Sequence, residues 1–287
     1  MANITEEWVK ASDGVEIYHR VWEPTRPKPL ATVVFVHGVG EHICRYDHVF
    51  KPFAEAGIKV RSFDQRGFGK TGRKSGILGH NEGYDRVLKD VDEVAAKVRV
   101  AGVPHFVFGH SMGGGIALRY AIDHQNDDIS GLIASAPLVG LGAKTAVSTP
   151  EYYAIRAMSY FFGTVTISNP VDPANLTRDP TVNKAYVEDP LVHPYTSLST
   201  ARDIVLNGEA LAGSLAAQLT LPLLITFGTG DHICSYDAAK AFCDAAASKD
   251  KTFKSYTDLC HELHNEPEKD EIIKFYIDWI LERAKKA

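Results

Sequence analysis

The stretch "HFVFGHSMGGGIALRY" sets one serine, Ser111, among four glycines. Glycine weakens regular structure and is worth keeping where the backbone must bend sharply or be approached closely. "G-H-S-M-G", Gly109 to Gly113, has the spacing of a strained turn that pushes a serine hydroxyl outward between a strand and a helix. A bare hydroxyl is a poor nucleophile, so it needs a base, and the base needs a group to orient it. Asp231, in "LITFGTGDHICSYDAA", follows an apolar run and a Gly-rich turn. His261, in "FKSYTDLCHELHNEP", follows the last strand-like run. The order Ser, Asp, His is the one this turn carries, and the chemistry these groups could do is acyl transfer.

Other carboxylates and imidazoles compete for the same roles. Asp237 falls a few residues into a helix and reads as capping or solvating it. Asp258 precedes the histidine loop and would point elsewhere, and His232 and His264 rival His261 as the base. Asp64, in "FDQRGFG", reads as pinning its Gly-rich loop through Arg66. Developing negative charge needs two backbone donors. "FVHGVGEHICRY" ends a buried run in His37-Gly38, and its loop supplies one of them. The amides of Val39 and Met112 are the natural pair, with His37 bonding inside its own loop.

These residues need elements to bring them together. "GVEIYHRVWEP" (14–24) alternates as a half-buried strand, and "ATVVFVHG" is a continuous apolar run, as a strand buried on both faces would be. A helix pattern covers 45–57, a strand "IKVRSFDQRGFG" breaks into a Gly-rich loop, and Val87, Val91, Val94 and Val98 share one helical face. "HFVFG", "GLIASAP", "LPLLITFGTGD" and "TFKSYTD" supply further strands with helices after each. Such alternation means βαβ units and a mostly parallel sheet. The rhythm breaks between about 140 and 208. The expected organisation is a core of residues 1–139 and 209–287 and a cap insertion, 140–208, over the carboxyl edge of the sheet.

Composition narrows the classes. A chain of 287 residues, 45% apolar and 23% charged, can bury a full core and has no room for extended disorder. A formal charge of −5 lacks the basic footprint of a nucleic-acid binder. The polar, acidic start "MANITEEWVKASDGVEIYHR" is unlike a secretory signal, and no apolar run is long enough to cross a bilayer. Cys44, Cys234, Cys243 and Cys260 show no C-x-x-C or metal-ligand spacing, so reduced thiols in a cytoplasmic protein are expected.

Taken together, "HGVGEHICRY", "FDQRGFGKT", "GHSMGGGIAL", "SAPLVG", "GTGDHIC" and "HELHNE" occur in an order and spacing that resembles the monoacylglycerol lipases and their lysophospholipase-like relatives. The resemblance covers nearly the whole chain, returns at "AYVEDPL" (185–191), and is weakest through the insertion. It implies an α/β-hydrolase fold with helices on both faces of the sheet and an inserted cap. It further implies hydrolysis of a monoacylglycerol to fatty acid and glycerol by Ser111, His261 and Asp231, with Val39 and Met112 at the oxyanion and no metal or organic cofactor. Glu41, Arg45 and His264 match positions that line the alcohol pocket, and Cys234 one that can carry a reactive thiol. The same residues would serve a lysophospholipase or general carboxylesterase. Haloalkane dehalogenases and epoxide hydrolases place aspartate where Ser111 stands. A proline-directed peptidase and a non-catalytic binding module are further alternatives. "EYYAIRAMSYFF" could supply acyl-tunnel wall and a face touching membrane or lipid droplet, or it could bury the cap against the sheet.

Overall fold

The computed structural model describes residues 3–145 and 148–286. In chain order it builds β1 (Asn3–Lys10), β2 (Glu16–Glu23), β3 (Ala31–Val36), α1 (Asp47–Glu55), β4 (Ile58–Phe63), α2 (Gly69–Ser75), α3 (Tyr84–Val98), β5 (His105–His110), α4 (Met112–Asp123) and β6 (Ile129–Ser135). Then come α5 (Thr149–Phe161), β7 (Thr166–Ser168), α6 (Pro180–Glu188), β8 (Tyr195–Ser197) and α7 (Leu198–Ala210). The chain closes with β9 (Leu223–Gly228), α8 (Tyr236–Ala245), β10 (Lys251–Tyr256) and α9 (Lys269–Ala284).

Eight strands form one sheet in the order β1-β2-β4-β3-β5-β6-β9-β10. All neighbours from β4 to β10 pair parallel, and β1 and β2 join antiparallel at one edge. Alternate side chains of the central strands feed two cores. On one face Val34, Val107, Leu132 and Ile225 meet Val91 of α3, Ile116 of α4 and Phe242 of α8. On the other, Phe35, Phe108, Ile133 and Leu224 meet Phe50 and Phe53 of α1 and Tyr276 and Trp279 of α9. Strands with apolar side chains on both faces must be covered on both, which is why they read as continuous apolar runs. The architecture is the α/β-hydrolase fold expected.

Two elements differ from the sequence reading. β1 is an edge strand with both faces largely open, so no burial pattern marks it. The Gly-rich loop after β4 winds into the short helix α2. Asp64 does pin this region, but through backbone amides: it accepts from Ile43 N (2.9 Å) and Lys70 N (2.6 Å). Arg66 turns away to Asp13, Glu82 and Asp90.

Between β6 and β9 the chain leaves the main sheet. β7 and β8 pair as a separate antiparallel ribbon. α5 starts on a capping box, Ser148 with Glu151, and rests on α7. α7 is joined to α4 by Asn207 Nδ2 donating to Gly115 O (3.2 Å). α7 runs to Ala210, so the expected boundary at 208 lies inside a helix.

Candidate active site

Ser111 sits between β5 and α4 at φ 56°, ψ −124°, a conformation costly for any residue with a side chain. Glycines permit it. A Cβ on Gly109 would meet Gly113 O at 2.1 Å, and one on Gly113 would meet Val36 O at 2.2 Å. Gly114 and Gly115 allow the start of α4 to pass close to Pro137 and Leu138. The turn is held by Ser111 N donating to Ser135 O (3.0 Å), while Ser111 O accepts from Gly115 N (3.1 Å) and Leu138 N (2.9 Å).

Asp231 and His261, on the loops after β9 and β10, meet beside it. His261 Nδ1 donates to Asp231 Oδ2 at 2.7 Å, and Asp231 Oδ1 accepts from Ile233 N (2.8 Å) and Cys234 N (3.1 Å). That bond fixes the tautomer, leaving Nε2 as the acceptor. Burial works against charge on His261, but the Asp231 carboxylate outweighs it and raises the imidazole pKa above its ordinary value. His261 and Ser111 line one small chamber. No hydrogen bond joins the Ser111 hydroxyl to the ring in this structure, as is common before substrate tightens a site.

The loop after β3 approaches Ser111 from the other side. A Cβ on Gly38 would come within 3.2 Å of the Ser111 Cβ. His37 behaves as expected of a structural group. Its Nδ1 donates to Gly38 O (2.7 Å) and its Nε2 accepts from Gln65 N (3.0 Å), while burial lowers its pKa to about 4. Among the described residues, neither the Val39 nor the Met112 amide donates to a protein acceptor. Unpaired N–H groups flanking a displayed hydroxyl suit a developing oxyanion.

Two cavities meet at Ser111. A largely apolar cleft of about 1170 Å³, counted to its open mouth, runs under the segment between β6 and β9, past Leu138, Leu141, Ile155, Ile167 and Ile204. A smaller one of about 320 Å³ has Glu41, Arg45, His110, His261 and Glu262 in its wall beside Leu176. Val39, Val171, Tyr186 and Ile233 border both.

The three residues assigned to the alcohol pocket separate here. Glu41 and Arg45 line the small cavity; His264 does not. It is buried, stacked on Tyr46 and edge-on to His110, and burial holds its pKa well below the ordinary value. Glu262 and His110, which the sequence reading did not single out, stand in the wall instead. The pattern "GHSMG" already contains His110, and the position next to the base was a signal for Glu262. Asp258 and His232 lie exposed outside both cavities, and Asp237 lies in the first turn of α8. Cys234 is 1% exposed. Burial pushes its thiol well above the ordinary value, Asp231 adds to the rise, and the nearby Ser111 hydroxyl opposes it. A thiol so placed lacks the exposure and the lowered pKa that mark a reactive cysteine. Among the described residues, no group of three or more His, Cys, Asp or Glu side chains could hold a metal ion.

The family model described as serine aminopeptidase, S33, matches residues 27–268. An abhydrolase-domain-containing protein of Dictyostelium discoideum is 38% identical over 96% of this chain, which spans only 29% of that protein. A putative monoglyceride lipase of Schizosaccharomyces pombe is 37% identical, covering 94% of this chain and 72% of the relative. Among solved structures, the monoacylglycerol lipase of Paleococcus ferrophilus superposes with a TM-score of 0.85 at 29% identity, covering 93% of this chain and 99% of its own.

Proposed function

The chain belongs to the serine aminopeptidase S33 family, and from that premise we propose that it is a carboxylic ester hydrolase acting on monoacylglycerols. The observation that carries this reading is the pair of unlike cavities meeting at Ser111. A large apolar cleft on one side suits a long acyl chain, and a small cavity walled in part by charged groups on the other has room for a small alcohol. Its wall holds two carboxylates and one guanidinium, a net negative set that favours an uncharged alcohol over a phosphorylated head group.

In this mechanism Ser111 attacks the ester carbonyl as His261 takes its proton, and the Val39 and Met112 amides hold the oxyanion. His261 then protonates the leaving glycerol and activates the water that frees the fatty acid. Asp231 holds the imidazole and offsets its charge. The segment between β6 and β9 acts as the cap that roofs the acyl cleft. Its outer face carries Tyr153, Met158, Tyr160, Phe161 and Phe162, all exposed. Exposed side chains of this kind suit contact with a lipid surface, from which the substrate is drawn.

The test compares turnover of monooleoylglycerol, lysophosphatidylcholine and a short nitrophenyl ester. The reading predicts the highest kcat/KM on monooleoylglycerol among the lipids and little turnover of the lysophospholipid. Preference for lysophosphatidylcholine would refute it.

A further inference from the structure

The small cavity contains a buried ionic link that spans the reacting centre. Arg45 Nη1 donates to Glu41 Oε2 (2.7 Å) and to Glu262 Oε1 (2.8 Å), and its Nη2 donates to Glu262 Oε2 (2.8 Å). Glu41 Oε1 is taken by Gly38 N and by the Tyr46 hydroxyl, each at 2.6 Å. Glu262 Oε2 is taken as well by Asn265 Nδ2 (2.6 Å). The guanidinium also lies over the Tyr186 ring, 4.9 Å from its centroid. Every carboxylate oxygen therefore has a donor, and all three side chains are at least nine-tenths buried.

The two ends of this link matter. Glu41 holds the amide of Gly38, the residue before Val39. Glu262 directly follows His261. We infer that Glu262, acting through Arg45 and Glu41, is a positioning residue that fixes the histidine loop against the oxyanion loop. The inference rests on the proposed serine-hydrolase reading and assigns a task to residues at that same site. The rest of the loop is pinned in the same manner. Glu262 N donates to Leu176 O (2.7 Å), Thr177 Oγ1 to Asn265 O (2.9 Å), and Cys260 N to Glu266 Oε1 (2.6 Å). Burial alone would raise the Glu262 pKa, but Arg45 beside it holds the carboxyl well below its ordinary range, so the link is ionic at neutral pH.

A fluorophosphonate probe separates positioning from head-group binding, because it reacts with the nucleophile and has no glycerol. The experiment measures, for Glu262→Gln, the rate constant of labelling per titrated active site together with kcat and KM on monooleoylglycerol. Counting active sites removes any effect of a smaller folded fraction. If Glu262→Gln fails to fold, Asn265→Ala, which removes only the third donor, carries the same test. Positioning predicts that labelling rate and kcat fall together, by roughly tenfold to a hundredfold, with KM little changed. Unchanged labelling with a raised KM would overturn the inference in favour of alcohol binding, and no change in either would overturn it outright. A wild-type protein that the probe does not label would instead strike at the serine-hydrolase reading beneath it.

Discussion

His261 carries a proton balance that a pH profile can read. As the proposed base it must be neutral to accept the Ser111 proton, and its pKa is raised above the ordinary 6.5, burial opposing the rise and Asp231 outweighing it. Activity is therefore present above the raised pKa and lost as pH falls through it. The acid limb of kcat/KM is expected above pH 6.5; a limb below that value would mean the Asp231 bond does not govern the base. The positions of Ser111, Asp231 and His261 were legible because each stands at the end of a strand pattern. The ionic link from Glu41 through Arg45 was not. Their partner Glu262 is 217 residues from Arg45, and nothing in a linear sequence says that a carboxylate is already spoken for.

At the scale of elements, the turn between β5 and α4 depends on two glycines whose absent side chains are filled by neighbouring backbone. Gly113→Ala would drive a methyl group into Val36 O and His37 O, 2.2 and 2.3 Å away. Backbone cannot swing aside as a side chain can, so the loss should exceed the roughly 1–3 kcal/mol typical of overpacking. Urea unfolding of the variant measures it, and an unchanged midpoint would show that the turn is looser than described. The central strands were readable because burial on both faces demands unbroken apolar runs. β1 escaped notice because an edge strand with open faces needs no such pattern, and α2 because a run of Gly, Lys and Arg has no apolar periodicity.

At the scale of the whole molecule, the proposed cap would decide how substrate arrives. The aromatic stripe of α5 allowed both tunnel wall and outer face, and the structure divides it. Tyr152 and Ile155 line the cleft, while Phe161, 83% exposed, and its neighbours face outward. The sequence could not make that division, since the buried side of α5 is set by where α7 lies beneath it. Replacing Phe161 and Phe162 together by serine should lower turnover of vesicle-borne monoacylglycerol several-fold and leave a soluble nitrophenyl ester unaffected. Equal turnover on vesicles would remove the lipid-surface contact from the account. All of this presumes that the displayed hydroxyl is the group that reacts. Intact mass and peptide mapping after fluorophosphonate treatment test that most directly. The account predicts one adduct per chain, on Ser111, and none in Ser111→Ala; a folded protein that stays unmodified, or one modified at another residue, would contradict it.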